Sequence, residues 1–319
     1  MLLEVQDLRV SIGKVTPLDG VSFALDRGQI HGLVGESGSG KSLTAIAIMG
    51  LLPLIGGRIT GGTLAFDGHS LQRPEAELRK LRGRRIAFIT QNPMTALDPV
   101  RHIGGQVDEV AMMHLGLDRK AARERTIQIL TQLRISSAET VVQSYPHQLS
   151  GGMKQRIVIA MALAGEPDLI VADEPTTALD VTVQAQIIHI LTSLVRERGL
   201  GLLLITHDMG VVAQACDLVT VLYAGRVAEK SSTAALFEAP RHPYTTALMA
   251  SVPRDDMPLG ALKGIPGSVP SVAGYPAGCR FHPRCPRKTE ICEKVVPPLV
   301  VTDKQSALAC HNPLEGTRP

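Results

Sequence analysis

Gly35-Glu36-Ser37-Gly38-Ser39-Gly40-Lys41-Ser42 satisfies G-x-x-x-x-G-K-S/T in full, between an apolar run at 29–34 and a stretch of helical spacing. The chemistry on offer is a phosphate cradle. Glycines let the backbone turn its N–H groups inward, and the following helix places roughly half a positive charge at its N-terminus. Lys41 would reach the β- and γ-phosphates, and Ser42 would offer its hydroxyl to Mg²⁺. Further on, Leu149-Ser150-Gly151-Gly152-Met153-Lys154-Gln155-Arg156 opens a second helix with the same kind of turn. Ser150, Gly151 and Gly152 would present N–H groups and a hydroxyl to an anion. Leu169-Ile170-Val171-Ala172 buries a strand and delivers Asp173 and Glu174 at its end. Asp173 would hold Mg²⁺, directly or through water, and Glu174 would align and deprotonate the attacking water. His207 ends the run Leu203-Leu204-Ile205-Thr206-His207-Asp208, and Gln91 follows another apolar run. His207 would hydrogen-bond the γ-phosphate and the water, and Gln91 would touch Mg²⁺ or the water. An apolar run ending in Asp-Glu is also how a strand enters a solvated loop, and a single His is more often structural. After a P-loop they repeat one location, the carboxyl ends of strands in an α/β sheet.

Two glycine-rich turns for one ligand pose a geometric question, because one chain does not easily close both on the same nucleotide. Two chains facing head to tail can. The 35–42 loop of one and the Ser150 turn of the other would clamp one ATP.

The elements that must position these groups are legible in outline. Alternation at Leu3, Val5, Leu8 and Val10 predicts a half-exposed strand, and residues 21–25 another. Residues 85–90 read as a buried strand, and 94–167 as helical, with amphipathic spacing at 106–115 and 119–133 and an Ala-, Ile- and Met-rich helix at 154–164. The continuous apolar runs 169–172 and 202–205 suit central parallel strands, with a long helix, 181–198, between them that stops at Gly199. Residues 218–227 read as a hairpin turning at Ala224-Gly225. His31 and Cys216 read as core, and the basic run Arg79-Lys80-Leu81-Arg82-Gly83-Arg84-Arg85 as a solvated lead-in to a strand.

Composition bounds the function. Hydrophobic residues make up 44% and charged residues 20% of 319, which supports a buried core. A net charge of +3 is too mild to argue for nucleic acid. Met1-Leu2-Leu3-Glu4 leads straight into strand alternation, with no secretory pattern, and the apolar stretch 42–57 is broken by Gly50, Pro53, Gly56 and Gly57. The expectation is a cytosolic chain whose five cysteines are not disulfides. After about residue 237 proline becomes frequent, and Cys279, Cys285, Cys292 and Cys310 gather. Their spacings, x5, x6 and x17, do not follow the C-x2-C rhythm of zinc ribbons or ferredoxins. Spacing leaves both a metal site and four reduced thiols open.

The P-loop, Gln91, the LSGGMKQR turn, Asp173-Glu174, Thr177-Ala178-Leu179-Asp180 and His207 occur in the order of ABC transporter ATPase subunits, which the chain resembles over about residues 1–235. The resemblance implies an α/β fold: a P-loop NTPase core with an N-terminal antiparallel β subdomain, a helical subdomain at about 94–167, and a Cys/Pro-rich C-terminal extension at 236–319. It implies a nucleotide-sandwich dimer using ATP and Mg²⁺, with Asp180 in the loop that communicates across the interface. Members of that family stack an aromatic ring on adenine, and here Ile12 aligns with it. LSGGM followed by Lys154-Gln155-Arg156, His242-Pro243-Tyr244-Thr245 leading to Ser251-Val252-Pro253, and Gly278-Cys279-Arg280-Phe281-His282-Pro283-Arg284-Cys285 resemble the oligopeptide/dipeptide importer subfamily. That implies an ATPase subunit powering peptide import at the cytoplasmic face of the inner membrane. Its partners would be a second ATPase subunit, itself or a paralogue, two transmembrane permease subunits and, indirectly, an extracytoplasmic substrate-binding protein, with no nucleic acid. The permeases would dock near the Gln91 loop and the helical lobe. Importers of nickel or another small solute share the pattern. A soluble ABC ATPase of repair or translation is the other reading, though the insertion is short for the first and a single cassette is few for the second. The resemblance also implies a 4Fe–4S cluster of structural role on Cys279, Cys285, Cys292 and Cys310, with zinc next, Arg280, Arg284 and Arg287 offsetting thiolate charge. A sensor role for the extension is a third class.

Overall fold

The computed structural model describes residues 1–177, 179–251, 264–303 and 305–315; Ala178, Val252 and Pro253, on which the sequence reading drew, lie outside the described residues. In chain order the strands are β1 (Leu3–Ile12), β2 (Val15–Leu25), β3 (Ile30–Val34), β4 (Gly57–Phe66), β5 (His69–Ser70), β6 (Ile86–Ile89), β7 (Leu169–Asp173), β8 (Gly201–Thr206), β9 (Leu218–Tyr223), β10 (Arg226–Ser232), β11 (Val300–Val301) and β12 (Ala307–Leu308). The chain forms two compact units, residues 1–26, 30–72 and 204–319 in one, and 27–29 and 73–203 in the other.

In the first unit β2, β1, β4 and β5 form an antiparallel sheet in that order. Leu3, Val5, Leu8 and Val10 are buried, as the alternation predicts. β2 starts at Val15, well before the predicted strand, because Gly13 turns the chain and Ile12 pairs with Val15. β3 pairs in parallel with β9, and its five residues are all buried. The predicted hairpin is β9–β10, and it runs on to Ser232. Its turn needs left-handed backbone at Ala224 (φ 46°) and Gly225 (φ 79°), and a Cβ on Gly225 would lie 1.8 Å from the Pro17 carbonyl oxygen. The extension holds more regular structure than its composition suggests. A helix, Pro243–Ala250, is capped by His242, whose side chain accepts from the Tyr244 N–H, and β12 adds to β10. Strands of two residues carry no readable period, so β11 and β12 were not legible.

Asp19 of β2 ties the extension down. It accepts from Arg226 at 2.6 Å, Arg280 at 3.0 Å and Arg9 at 3.1 Å. Burial pushes its carboxyl up, but the arginines outweigh that and hold it below the ordinary range. The Arg280 guanidinium, 4.0 Å from the Tyr275 ring centroid, also donates to the Ala224 carbonyl.

His31, on β3, is fully buried and shares a hydrogen bond with the Thr220 hydroxyl at 2.8 Å, so the core assignment is correct. Burial pushes its imidazole down from 6.5 to about 3, and that of His242 from 6.5 to about 4. Below pH 6.5 the unfolded chain therefore takes up protons that the folded chain refuses. Stability is expected to fall as pH drops from 6.5 towards 4. Thermal melts across that window check this, and a flat Tm would contradict it.

In the second unit β6 and β7 pair in parallel, Ile86 opposite Leu169 through Ile89 opposite Ala172, with β7 wholly buried. The helices Ile103–Leu115 and Arg119–Gln132 are joined by the buried Asp108, which accepts from Arg123 at 2.7 Å and from Thr126 at 2.6 Å. The helix Gly151–Ala164 begins three residues earlier than its apolar pattern indicates, because Ser150 caps it. The long helix Val181–Arg198 ends at left-handed Gly199, as predicted, and starts from an Asp180 cap. The basic run is more than a solvated lead-in: Arg82 grips Glu75 with two nitrogens, Arg84 donates to the Gly165 carbonyl, and Arg85 pairs with Asp168. No helix among the described residues is long and apolar enough to cross a membrane.

Candidate active site

The P-loop leaves the buried end of β3 and enters the helix Lys41–Ile48. Gly35, Gly38 and Gly40 have φ of 149°, 81° and 104°, which side chains with a Cβ rarely adopt. At Gly35 a Cβ would meet the Leu222 carbonyl oxygen at 2.2 Å, whereas at Gly38 nothing lies within 4 Å. The loop is thus anchored at its base and open at its tip. The helix starts at Gly40 with no side-chain cap and no acidic residue in its first turn. The Lys41 ammonium is buried and donates to the Gly35 carbonyl at 2.7 Å and the Glu36 carbonyl at 3.1 Å, while Ser42 is exposed. The buried Ser39 hydroxyl has no hydrogen-bond partner. An uncapped helix start, an open glycine tip and a cation at its base fit a polyphosphate with its metal. His207, in the same unit, is exposed just past β8.

In the second unit, Asp173 is buried at the end of β7 and Glu174 takes a left-handed backbone, φ 48°. A non-glycine residue there is strained by about 1–3 kcal/mol. The strain redirects the Glu174 carboxylate, whose Oε2 accepts from Gln91 Nε2 at 2.9 Å and from the Thr177 hydroxyl at 2.9 Å. Two predicted residues, Gln91 and Glu174, are therefore brought together, and Thr177 joins them in a role its motif did not reveal. The Ser150 turn is exposed, and the Ser150 hydroxyl oxygen accepts from the Met153 N–H at 3.3 Å. The Ser150 lone pair thus caps its own helix, and what Ser150 can offer an outside anion is its O–H proton. Gly152 lies close against the following helix, where a Cβ would meet Val183 Cγ1 at 2.7 Å.

The family model for ABC transporters matches residues 18–177, and that for the C-terminal region of oligopeptide/dipeptide transporters matches 228–292. The oligopeptide transport ATP-binding protein OppD of Salmonella typhimurium is 47% identical, over 99% of this chain and 95% of its own. The chain belongs to the ABC transporter family. The dipeptide transport ATP-binding protein DppD of Bacillus subtilis is 44% identical, over 97% of this chain and 94% of its own. The ATP-binding cassette MJ0796, solved as a dimer in a post-hydrolysis state with ADP and Pi, superposes with a TM-score of 0.65 at 26% identity, over 73% of this chain and 99% of that one. The cbiO1 protein of Clostridium perfringens, part of the transporter complex cbiONQ, gives 0.65 at 27% identity, over 74% of this chain and 90% of that one. This ABC ATPase accordingly has the α/β cassette fold that its motif order implied.

In the extension of the ABC ATPase the structure corrects the expected role of the arginines. Cys279, Cys285, Cys292 and Cys310 are free thiols within electrostatic reach of one another, and Cys310 feels all three others. Burial pushes the Cys279 and Cys285 thiols up, and that of Cys310 to about 11. Among the described residues no group of three or more His, Cys, Asp or Glu could hold a metal ion. Nor do the three arginines gather round the thiols. Arg280 goes to Asp19 and Arg284 to Glu36 of the P-loop, while Arg287 acts on Cys285. Tyr244 is the residue the sequence missed most plainly: its hydroxyl accepts from the Glu36 N–H at 2.8 Å. Cys216 is buried with its thiol pushed up to about 12 by burial, and is core as expected.

Proposed function

We propose that this ABC ATPase powers the import of peptides. What carries the reading is the match of residues 228–292 to the C-terminal region of oligopeptide/dipeptide transporters, supported by relatives whose names specify oligopeptide and dipeptide transport. Residues 1–235 act as the ATPase domain, with the helical subdomain at about 94–167, and 236–319 as the extension. The N–H groups of 35–42 other than that of Glu36, which donates to Tyr244, and the Lys41 ammonium bind the ATP phosphates, and Ser42, Asp173 and Gln91 hold Mg²⁺. Glu174, oriented by Gln91 and Thr177, takes the proton of the attacking water, and His207 hydrogen-bonds the γ-phosphate. Ser150, Gly151 and Gly152 of a second ATPase subunit close over the same nucleotide, the exposure of Ser150 and Gly151 leaving the turn accessible to it. The dimer's closure and reopening drives two permease subunits, at the cytoplasmic face of the inner membrane, with substrate delivered by an extracytoplasmic binding protein. Reconstitution with the permeases tests this: ATP-dependent uptake of labelled di- and oligopeptides supports it. Uptake of nickel but not peptide would transfer the assignment to a small solute. Binding to ribosomes or DNA without permeases would transfer it to a soluble ATPase.

The four cysteines are a second part of the proposal. Convergence of four thiols, with Arg287 acting on Cys285, supports a shared metal group. The reading is an iron–sulfur cluster ligated by the four thiolates, with zinc as the alternative. The raised thiols must lose protons to ligate, so loading would release protons. Anaerobically purified protein is expected to be coloured and to hold about four irons per chain. Colourless protein with one zinc would replace the assignment, and protein with neither metal would leave four reduced thiols.

A further inference from the structure

Glu36, the second residue of the P-loop, is held by Lys41 of the same loop and by two residues far from it in the chain, Tyr244 and Arg284. Its backbone N–H donates to the Tyr244 hydroxyl at 2.8 Å, and its carbonyl accepts from Lys41. Its carboxylate meets the Arg284 guanidinium through two nitrogens, Nη1 to Oε2 at 2.8 Å and Nη2 to Oε1 at 3.0 Å. This fork-to-fork geometry is the strong form of an ion pair. It is also sheltered: the Arg284 side chain is 6% exposed and that of Glu36 27%. Arg284 is itself fixed, donating to the Pro266 carbonyl at 2.7 Å, to the Ile265 carbonyl at 3.2 Å and to the Tyr223 hydroxyl at 3.3 Å. Tyr244 is fully buried and packs edge-on against Tyr223, with ring centroids 4.6 Å apart.

We propose that Arg284 is a positioning residue for ATP binding: from the C-terminal extension it sets the P-loop at Glu36, so that the extension completes the nucleotide site. Three consequences follow from the geometry. The Glu36 N–H, held by Tyr244, is turned away from the phosphate cradle, leaving the tip residues to face the ligand. The Glu36 carbonyl shares the Lys41 ammonium, so a shift of Glu36 moves the cation that meets the phosphates. And Arg284 directly precedes Cys285, so the fold of the cysteine segment bears on the same loop. The ion pair also keeps the Glu36 carboxylate from repelling an incoming polyphosphate, since its charge is neutralised at close range.

The proposal rests on residues 35–42 being the ATP site, and the experiment separates the two. Full-length Arg284→Gln, Arg284→Lys, Glu36→Gln and the double variant Arg284→Gln/Glu36→Gln are titrated with MgATP, beside Lys41→Ala. ATPase rates are measured at saturation in the assembled complex. Arg284→Gln is expected to weaken MgATP binding roughly tenfold while the saturated rate changes about twofold or less, because the loop is displaced but Glu174 is not. Arg284→Lys, unable to grip both oxygens, should recover only part of the loss. In the double variant the two effects should not multiply, since both remove the same pair. A lowered Tm with unchanged MgATP affinity in the folded protein would make Arg284 merely structural and overturn the proposal, as would multiplying effects. If Lys41→Ala also binds MgATP normally, the failure lies with the P-loop reading instead.

Discussion

The Glu174→Gln chain is expected to bind MgATP with near-normal affinity and to hydrolyse it roughly a hundred- to ten-thousandfold more slowly, the range set by removing a general base. The substitution keeps the length of the side chain and an oxygen for the Thr177 hydroxyl to donate to, so the pair of contacts at 2.9 Å need not be lost. What goes is the negative charge and the affinity for a proton. A water brought in line with the γ-phosphate would still be placed but not activated. The left-handed backbone of Glu174 argues in the same direction. Strain at one residue persists only where its surroundings fix it, and here they fix a carboxylate at the end of a buried strand. With hydrolysis blocked, ATP should hold two ATPase subunits closed, so light scattering should report an ATP-dependent increase in dimer that the unmodified chain shows only transiently. Near-normal turnover in this variant would remove Glu174 from the role of base. A variant that neither hydrolyses nor binds would show that the carboxylate serves the fold of the loop instead.

Lys41→Ala should have the second large effect, at an earlier step. The ammonium is buried at the base of the P-loop and bonded to two carbonyls, at 2.7 Å and 3.1 Å. A charge-assisted hydrogen bond contributes about 1.5–3 kcal/mol, so loss of two to phosphate oxygens would weaken MgATP binding by about a hundred- to ten-thousandfold. Calorimetric titration of the full chain measures this directly, and an unchanged circular dichroism spectrum would exclude unfolding as the cause. Retention of MgATP affinity within about threefold, less than one such bond contributes, would mean the cradle binds through its backbone alone.

The motifs of the site were legible because each is set by local geometry. A run of glycines before Lys41, apolar runs that end in Asp173-Glu174 and Thr206-His207, and a serine that heads a helix at Ser150 all read from near neighbours. The structure agrees on β3, β7 and β8 as buried strands, on Ser150 as a helix start and on the long helix over 181–198. Where the reading fell short, the signal was absent or too short. β11 and β12 have two residues each, and the part of β2 before residue 21 includes Pro17 and Gly20, which blur its alternation. Arg280 and Arg284 sit beside cysteines in sequence, so proximity assigned them to the thiols. Packing instead sends one to Asp19 and the other to Glu36.

By itself, then, the sequence determined the nucleotide chemistry, the cassette fold and the order of the elements that deliver the reactive groups. Tertiary structure alone decided how the P-loop is held. Glu36 lies 208 residues from Tyr244 and 248 from Arg284, and Asp19 lies 261 from Arg280. Contacts over such separations leave no period or spacing to read, because any of several arginines could satisfy a carboxylate. Only the folded chain, by fixing which side chains share a buried volume, selects the one that does.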